Sequence, residues 1–482
     1  MRMSKLLLAA GILLASTLAG LAYEFQPIGY ESISMGGAGV ACANGSMAGY
    51  YNPALLARPR YGAEFSISGG VGLREYKLAQ KARDLKDMNL QDTITRMSDV
   101  ITISGNAATI AANTAADRRN ILTIQKIVKD LDGTSLTLNP TAAIGTQMGH
   151  FSIGVYVTSD AFARANYNSA NSQLLFKDTN QYYNGQPATV YFMYDPGNPD
   201  TNIPETYTYN VIDNAGVSHA LTNVTASSGV VVNYNPNLGS TQYTGTSIQY
   251  AVKEDTLHNN ITTNGIVLTE IPLSTAYRFE TPAGAFSVGA SVKAMIGATY
   301  NNTMNIDSNV DDANQLLKDN SKVSQALGLD IGGLYEPAML HGLTVGLVLK
   351  DLNSPKFATA NGGPKITIKP MLRAGADLAL AKSFDIAADL DLTKNTALDG
   401  HGSKYFGAGA SWHPLSWFSL RAGMMNNTAD DTLGNIATAG LGLGLKWLQL
   451  DIAAQASSKT TTIDGKKYPS YAKVNVALVS KW

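Results

Sequence analysis

The feature that most constrains this chain is an alternation of apolar and polar residues that recurs in segment after segment. The stretch "FDIAADLDL" places Phe384, Ile386, Ala388, Leu390 and Leu392 on one side and Asp385, Asp389 and Asp391 on the other. A period of two means an extended strand whose two faces meet different surroundings. "KITIKPMLRAGADLAL" repeats the scheme, with Ile366, Ile368, Leu372, Ala374 and Ala376 on one face and Lys365, Lys369, Arg373 and Asp377 on the other. So does the C-terminal "YAKVNVALVSKW", where Val474, Val476, Leu478 and Trp482 oppose Lys473, Asn475, Ala477 and Lys481, with Ser480 as an interruption. A soluble sandwich would need large residues on its inner faces. Here the polar face is often Gly, Ser or a charge and the apolar face is rich in Ala, as expected for lipid outside and a wet or plugged lumen inside.

The connections carry the argument further. About fourteen strands are expected, near 61–74, 135–148, 151–167, 262–279, 284–301, 322–336, 342–352, 365–380, 382–394, 403–413, 416–426, 435–446, 448–458 and 471–482. Tight turns such as "GH", "LAKS" and "HPLSW" alternate with long polar links, notably 75–134 and 168–261. Short turns on one rim and long loops on the other are the asymmetry of a transmembrane antiparallel β-barrel, with turns periplasmic and loops extracellular. The fold class expected is therefore all-β: a barrel spanning residues 61–482, preceded by a compact segment at 23–60 and a leader at 1–22.

That leader, "MRMSKLLLAAGILLASTLAGLA", has Arg2 and Lys5, an apolar stretch from Leu6 to Leu18, then Gly20 and Ala22. It is expected to be a secretory signal peptide cleaved after Ala22. No run of 18 or more apolar residues follows, so an exported spanning helix is not expected. The formal net charge of −1 argues against nucleic acid as a partner. Cys42, the single cysteine, is expected to be a small buried residue. The expected location is a bacterial outer membrane, with its lipid as the first partner.

Tryptophan prefers a membrane–water boundary because its ring is apolar while its N–H needs a partner. Trp412, Trp417, Trp447 and Trp482 all fall at strand ends on the periplasmic rim of this threading. Trp482, ending an alternating strand, is similar to the C-terminal signal taken up by the outer-membrane barrel assembly machinery.

Between Tyr23 and Arg60 the glycine-rich "YEFQPIGYESISMGGAGVACANGSMAGYYNPALLARPR" has no clean strand or helix period. A barrel of this size is too wide to fill with its own side chains, which makes the segment a candidate plug. The run "SMGGAGVACANGSMAGYYNPALLA" resembles the N-terminal hatch of the long-chain fatty-acid transporter (FadL-type) superfamily. A stretch with Gly36, Gly37 and Gly39 leads to the Asn-Pro-Ala motif of Asn52, Pro53 and Ala54. The resemblance implies a fourteen-strand barrel with the hatch inside its lumen, and uptake of a fatty-acid-like hydrophobic ligand with lateral release into the bilayer. Met35, Val40, Tyr50, Tyr51 and Leu55 are the candidate ligand-pocket residues under that reading. A narrower resemblance is to the TraF-like branch, labelled conjugal transfer proteins. It implies the alternative of a non-transporting envelope component of a conjugation or secretion system, or a barrel that binds a surface partner.

Residues 77–130 lose the period of two and gain helical spacing, at Leu85, Met88, Ile94, Met97 and Ile101 and again at Ile121, Leu122, Ile124 and Ile127. A helical extracellular insertion is expected there, whose stripes bury each other or meet another envelope protein. The tyrosine-rich loop 168–261 is large enough for short strands of its own.

An enzyme is not expected. The six histidines, His150, His219, His258, His341, His401 and His413, sit in turns, loops or strand ends, and none is expected to share a lumen face with a matched Ser and carboxylate. Neither a cofactor nor a metal site is expected. The lumen charges expected are Asp160, Arg164, Lys369, Arg373, Asp377, Asp385, Asp389 and Arg421. Their mixed signs on neighbouring strands point to mutual pairing rather than to ion selectivity.

Overall fold

The computed structural model describes residues 23–58, 62–81, 101–104, 130–166, 175–183, 186–193, 206–212, 218–225, 247–250, 260–305, 320–445, 447–463 and 465–482. The expected leader at 1–22 and most of the expected helical insertion lie outside these residues. Fourteen strands close into one antiparallel barrel. They are Ala63–Tyr76, Ser135–Met148, Phe151–Asn166, Asn260–Thr281, Gly284–Asn305, Ser321–Pro337, Leu343–Lys350, Met371–Ala381, Phe384–Asp391, Tyr405–Leu415, Phe418–Asn427, Asn435–Gly444, Leu448–Ser457 and Tyr471–Lys481. Each pairs with the next, and the last returns to the first through Val71–Val474 and Ile67–Leu478, so no open edge remains.

The final strand shows why the ring forms. Val474, Val476 and Leu478 are 49, 45 and 44 % exposed on the outer skin, whereas Asn475 and Ala477 are 1 % exposed inside. The same split runs around the wall, from Ile67 and Val71 through Leu327 and Ile331 to Leu420 and Ile452. An apolar belt this continuous is stable only against hydrocarbon. All four tryptophans lie at the short-turn end and are exposed. Trp482 exchanges backbone hydrogen bonds with Ala63. Ser480, the break in the apolar face, donates its hydroxyl to the Trp447 carbonyl at 2.8 Å, which ties the last strand to a neighbouring turn. Among the described residues no helix is long and apolar enough to cross a membrane.

Three local readings are corrected. Ile366 and Ile368 were expected on the outer face, but both are buried inside the lumen. Pro370 interrupts the segment, so Ile366–Thr367 folds inward and pairs with Lys356–Phe357, and the wall strand begins only at Met371. Lys369 therefore sits half-buried on the return to the wall rather than on a barrel strand. In the expected helical insertion, Ile101–Ser104 is instead a strand, paired with Ser247–Tyr250. Its three successive β-branched residues, Ile101, Thr102 and Ile103, favour the extended form. This strand borders a six-stranded sheet beyond the long-loop rim, whose other members are Leu175–Tyr183, Gln186–Met193, Thr206–Ile212, Ser218–Thr225 and Ser247–Tyr250.

Candidate functional site

The lumen is filled from the short-turn side by residues 23–57. Two short helices, Tyr30–Ser34 and Gly45–Tyr51, and a 3-10 turn, Pro53–Ala57, are joined by glycine-rich turns. The glycine run makes that path possible. Gly36 and Gly37 have φ of 70° and 83°, the left-handed region that favours glycine. The turn after them aims two successive N–H groups at one carboxylate. Gly39 and Val40 donate to Asp389 Oδ2 at 2.8 and 3.0 Å, a backbone nest around an anion. Asp389 is in turn 3.7 Å from the Arg373 guanidinium, which also holds Asp391 at 2.7 Å. The same guanidinium lies 3.9 Å from the centroid of the Phe25 ring.

The Asn-Pro-Ala motif is a bracket. Asn52 Oδ1 accepts from the Ala54 N–H at 3.0 Å, while its Nδ2 donates to the Val40 carbonyl at 2.9 Å and to wall Gly333 at 3.3 Å. Pro53 opens the 3-10 turn, where its fixed φ costs nothing. The wall is cut back to receive this corner: a Cβ at Gly289 would strike the backbone of Pro53 and Ala54. The plug is also tied by Thr438, which accepts from Gly36 N–H at 3.0 Å and donates to Ser34 O at 2.8 Å. Gln455 donates to Ile33 O at 2.8 Å and Lys473 to Pro27 O at 2.7 Å.

The five candidate ligand residues are packed rather than open. Tyr50, Tyr51 and Leu55 join Ile28, Met47, Leu56, Tyr156 and Leu334 in one cluster, and Val40 is fully buried against the wall. Met35 packs with Ala38, Cys42 and Ala387. It also borders a cavity of 470 Å³ that opens at the short-turn rim, beside Glu31, Arg421, Trp447 and Trp482. Cys42 is buried and forms no disulfide.

Among the lumen charges, Asp160, Arg373, Asp377, Asp389 and Arg421 are buried in the structure, and Lys369 is not on the wall. Arg421 holds Asp451 at 2.6 Å and approaches Glu31 of the plug at 3.8 Å. Asp377 and Asp385 line the rim cavity. Higher up, Asp160 accepts from Asn139 at 3.2 Å, and Arg164 donates to the Asp399 carbonyl at 3.2 Å. Sequence reasoning missed part of the central cluster. Lys293 meets Asp351 at 2.6 Å, Glu270 at 2.8 Å and Asp330 at 3.0 Å, while Lys350 donates to the plug carbonyl of Tyr50. Lys350 ends its wall strand on the inward face, and Asp351 follows it inward where the chain turns off the wall. One histidine also departs from expectation. His413 faces the lumen cavity with Asp385 at 3.7 Å and Ser411 nearby, because Trp412 takes the outward position beside it. Its Nε2 lies 3.1 Å from the Lys382 carbonyl. Outside the wall, burial raises the Asp430 carboxyl, but hydrogen bonds from Thr432 and His401 together outweigh it and hold the group below the usual carboxylate range.

Comparison with known proteins adds the following. No curated protein matches. The Ralstonia pickettii toluene transporter TbuX is similar at 14% identity and a TM-score of 0.43, over 94% of this chain and 98% of its own. The Pseudomonas putida toluene transporter TodX is similar at 11% identity and 0.42, over 95% and 98%. A Pseudomonas aeruginosa FadL homologue is similar at 8% identity and 0.40, over 96% and 99%. Scores this low carry no inference about ligand. The family model described as "F plasmid transfer operon, TraF, protein" matches residues 49–391, from the second plug helix through nine wall strands, well over half of the chain. With the plug bracket at Asn52 and its Asp389 anchor both inside that span, the chain belongs to the TraF family of the F plasmid transfer operon.

Proposed function

We propose that the protein is an outer-membrane barrel that takes up hydrophobic small molecules through a plugged lumen, with lateral release into the bilayer. The observation that carries this reading is an apolar cluster inside the barrel, reached by the first residue of the plug. Tyr23, Phe162, Ile266, Leu268 and Met295 are buried together there. A lumen that only had to be solvated and sealed would carry polar side chains at that height, as it does lower down. A weak seam supports the lateral route. The strand Ser321–Pro337 pairs with Leu343–Lys350 only from Ile331–Leu349 to Tyr335–Val345. Above it the wall is held by the Leu352 N–H on Leu329 O and by the Asn353 side chain bridging Leu329 and Leu327. Binding of a fluorescent fatty acid to the purified barrel tests the reading, with loss expected when Asn52–Ala54 is altered. Undiminished binding in that variant sinks the role given to the plug.

The family match favours a second reading, an envelope component of a conjugation or secretion apparatus whose long-loop side binds a partner. The six-stranded sheet beyond that rim supplies a surface. Crosslinking through residues 77–130 to another envelope protein in intact cells supports it, and a barrel that binds fatty acid but yields no crosslink removes it. Assembly through the C-terminal strand is part of both proposals, and deletion of Trp482 is expected to lower the amount inserted.

A further inference from the structure

Phe357 has no exposed surface, although it belongs to a connection between two wall strands rather than to the wall or the plug. Its ring lies directly on the wall backbone at Gly297, where any Cβ would collide with it. Ile266, Leu268 and Met295 surround it from the wall and Tyr23 from the plug. The connection that carries it inward is tied to the wall at its base, by Asp351 on Lys293 and by Leu352 on Leu329. The chain leaves the wall through Asp351 and Ser354, at φ of 53° and 52°, conformations that non-glycine residues rarely adopt. The hairpin then makes only two ladder pairs, Lys356–Thr367 and Phe357–Ile366. Ala358 adds two ties to side chains, its carbonyl accepting from Thr299 Oγ1 at 2.8 Å and its N–H donating to Ser324 Oγ at 3.0 Å.

A glycine-floored notch filled by an aromatic ring on a strained, lightly paired arm has the form of an occupied binding site. We propose that Phe357 is a tethered stand-in for an uncharged apolar ligand with about the girth of a phenyl ring, and that such a ligand binds in the apolar cluster by displacing it. The inference rests on the uptake reading and names where in the lumen the molecule rests. Burial of apolar surface does not distinguish a ring on the arm from a ring out of solution. The tether gives Phe357 a high local concentration, so a free ligand binds only in proportion to the arm-out population. Charge is selected against. The three ammonium hydrogens of Lys293 below the apolar cluster are already matched by Glu270, Asp330 and Asp351. An ionised head would lose its hydration among these apolar side chains, which offer it no counter-ion.

The test uses the full chain in lipid nanodiscs with N-phenyl-1-naphthylamine, an uncharged fluorescent probe, against empty nanodiscs. Phe357→Ala is expected to tighten binding by about tenfold, because the competitor is gone. Adding Gly297→Leu, which fills the notch, is expected to return affinity to the starting level. A gain of less than about threefold in Phe357→Ala overturns the proposal, as does a gain that Gly297→Leu leaves intact. Should Phe357→Ala fail to fold, Phe357→Trp keeps the question open to measurement. Its emission is expected to shift to the red when naphthalene displaces the indole, and an unmoved spectrum overturns the site. Uptake of fatty acid by whole cells is read separately. Probe binding without uptake removes the transport reading and leaves the site, whereas uptake with no change of probe affinity in Phe357→Ala and Gly297→Leu removes the site and leaves transport.

Discussion

The lumen has two fillings, and they are built differently. The plug at residues 23–57 is anchored to many wall strands by directed bonds: Asp389 to Gly39 and Val40, Thr438 to Gly36 and Ser34, Gln455 to Ile33, Lys473 to Pro27. The inward hairpin at Lys356–Thr367 has two ladder pairs, a backbone bond from Ile368 to Pro355, two ties through Ala358 and an aromatic ring packed among apolar side chains. Directed bonds to buried partners are expensive to break, because each leaves an unsatisfied group, whereas an apolar contact can be exchanged for another. The difference teaches that filling a lumen and gating it are separate tasks. On the displacement proposed for Phe357, the plug stays seated and the arm is the part that moves.

Substitutions put that contrast at risk. The largest effect is expected from Gly289→Val, whose side chain enters the backbone of Pro53 and Ala54. It should cost about 3 kcal/mol or more, visible as a lower urea midpoint and loss of the heat-dependent gel shift; an unchanged midpoint would show that the plug is not firmly seated. Asp389→Ala comes next. It strips the acceptor from Gly39 and Val40 and leaves Arg373 with Asp391 alone. A loss of about 3 kcal/mol is expected, with a smaller loss for Asp389→Asn, which keeps one acceptor.

Phe357→Ala sharpens the other side. A fixed core phenylalanine costs about 3–5 kcal/mol on truncation to alanine. The arm should cost about 1–2 kcal/mol, because it can leave the apolar cluster and relax. If the urea midpoint falls as far as for Asp389→Ala, the arm is as fixed as the plug and the contrast fails. Ser354→Gly relieves a left-handed residue and should stabilise by about 1 kcal/mol, a slightly higher midpoint.

The smallest effect is expected at the long-loop rim, outside both fillings. Asp430 is held below its usual range once the bonds from Thr432 and His401 outweigh burial. A carboxyl depressed in the folded state contributes stability above its unfolded value, and that contribution fades as pH falls through the folded value. The stability gap between the native chain and Asp430→Asn should therefore be present at pH 6 and shrink progressively below about pH 4. A gap that is constant across that range would refute the pairing with His401.

Much of the wall was legible because strand alternation is local. Lipid and lumen are so unlike that Val474 and Asn475 declare their sides without reference to any other strand, and the four tryptophans mark one rim. The plug was legible as a glycine-rich segment ahead of a wide barrel, but not its partners. Asp389 lies 350 residues from Gly39, and no spacing rule spans that distance. Alternation also misled where two apolar surroundings exist. Ile366 and Ile368 looked lipid-facing because a period of two cannot tell hydrocarbon from an apolar cluster in the lumen.

By itself, then, the sequence determined the closed sheet, its two faces and the short-turn rim, since these follow from neighbours two residues apart and from the residue types that turns and interfaces accept. Only the tertiary structure decided which carboxylate the glycine turn embraces, where the wall thins to glycine, and that Phe357 rests inside. Those facts depend on strands brought together by closure of the ring, and closure is a property of the whole chain.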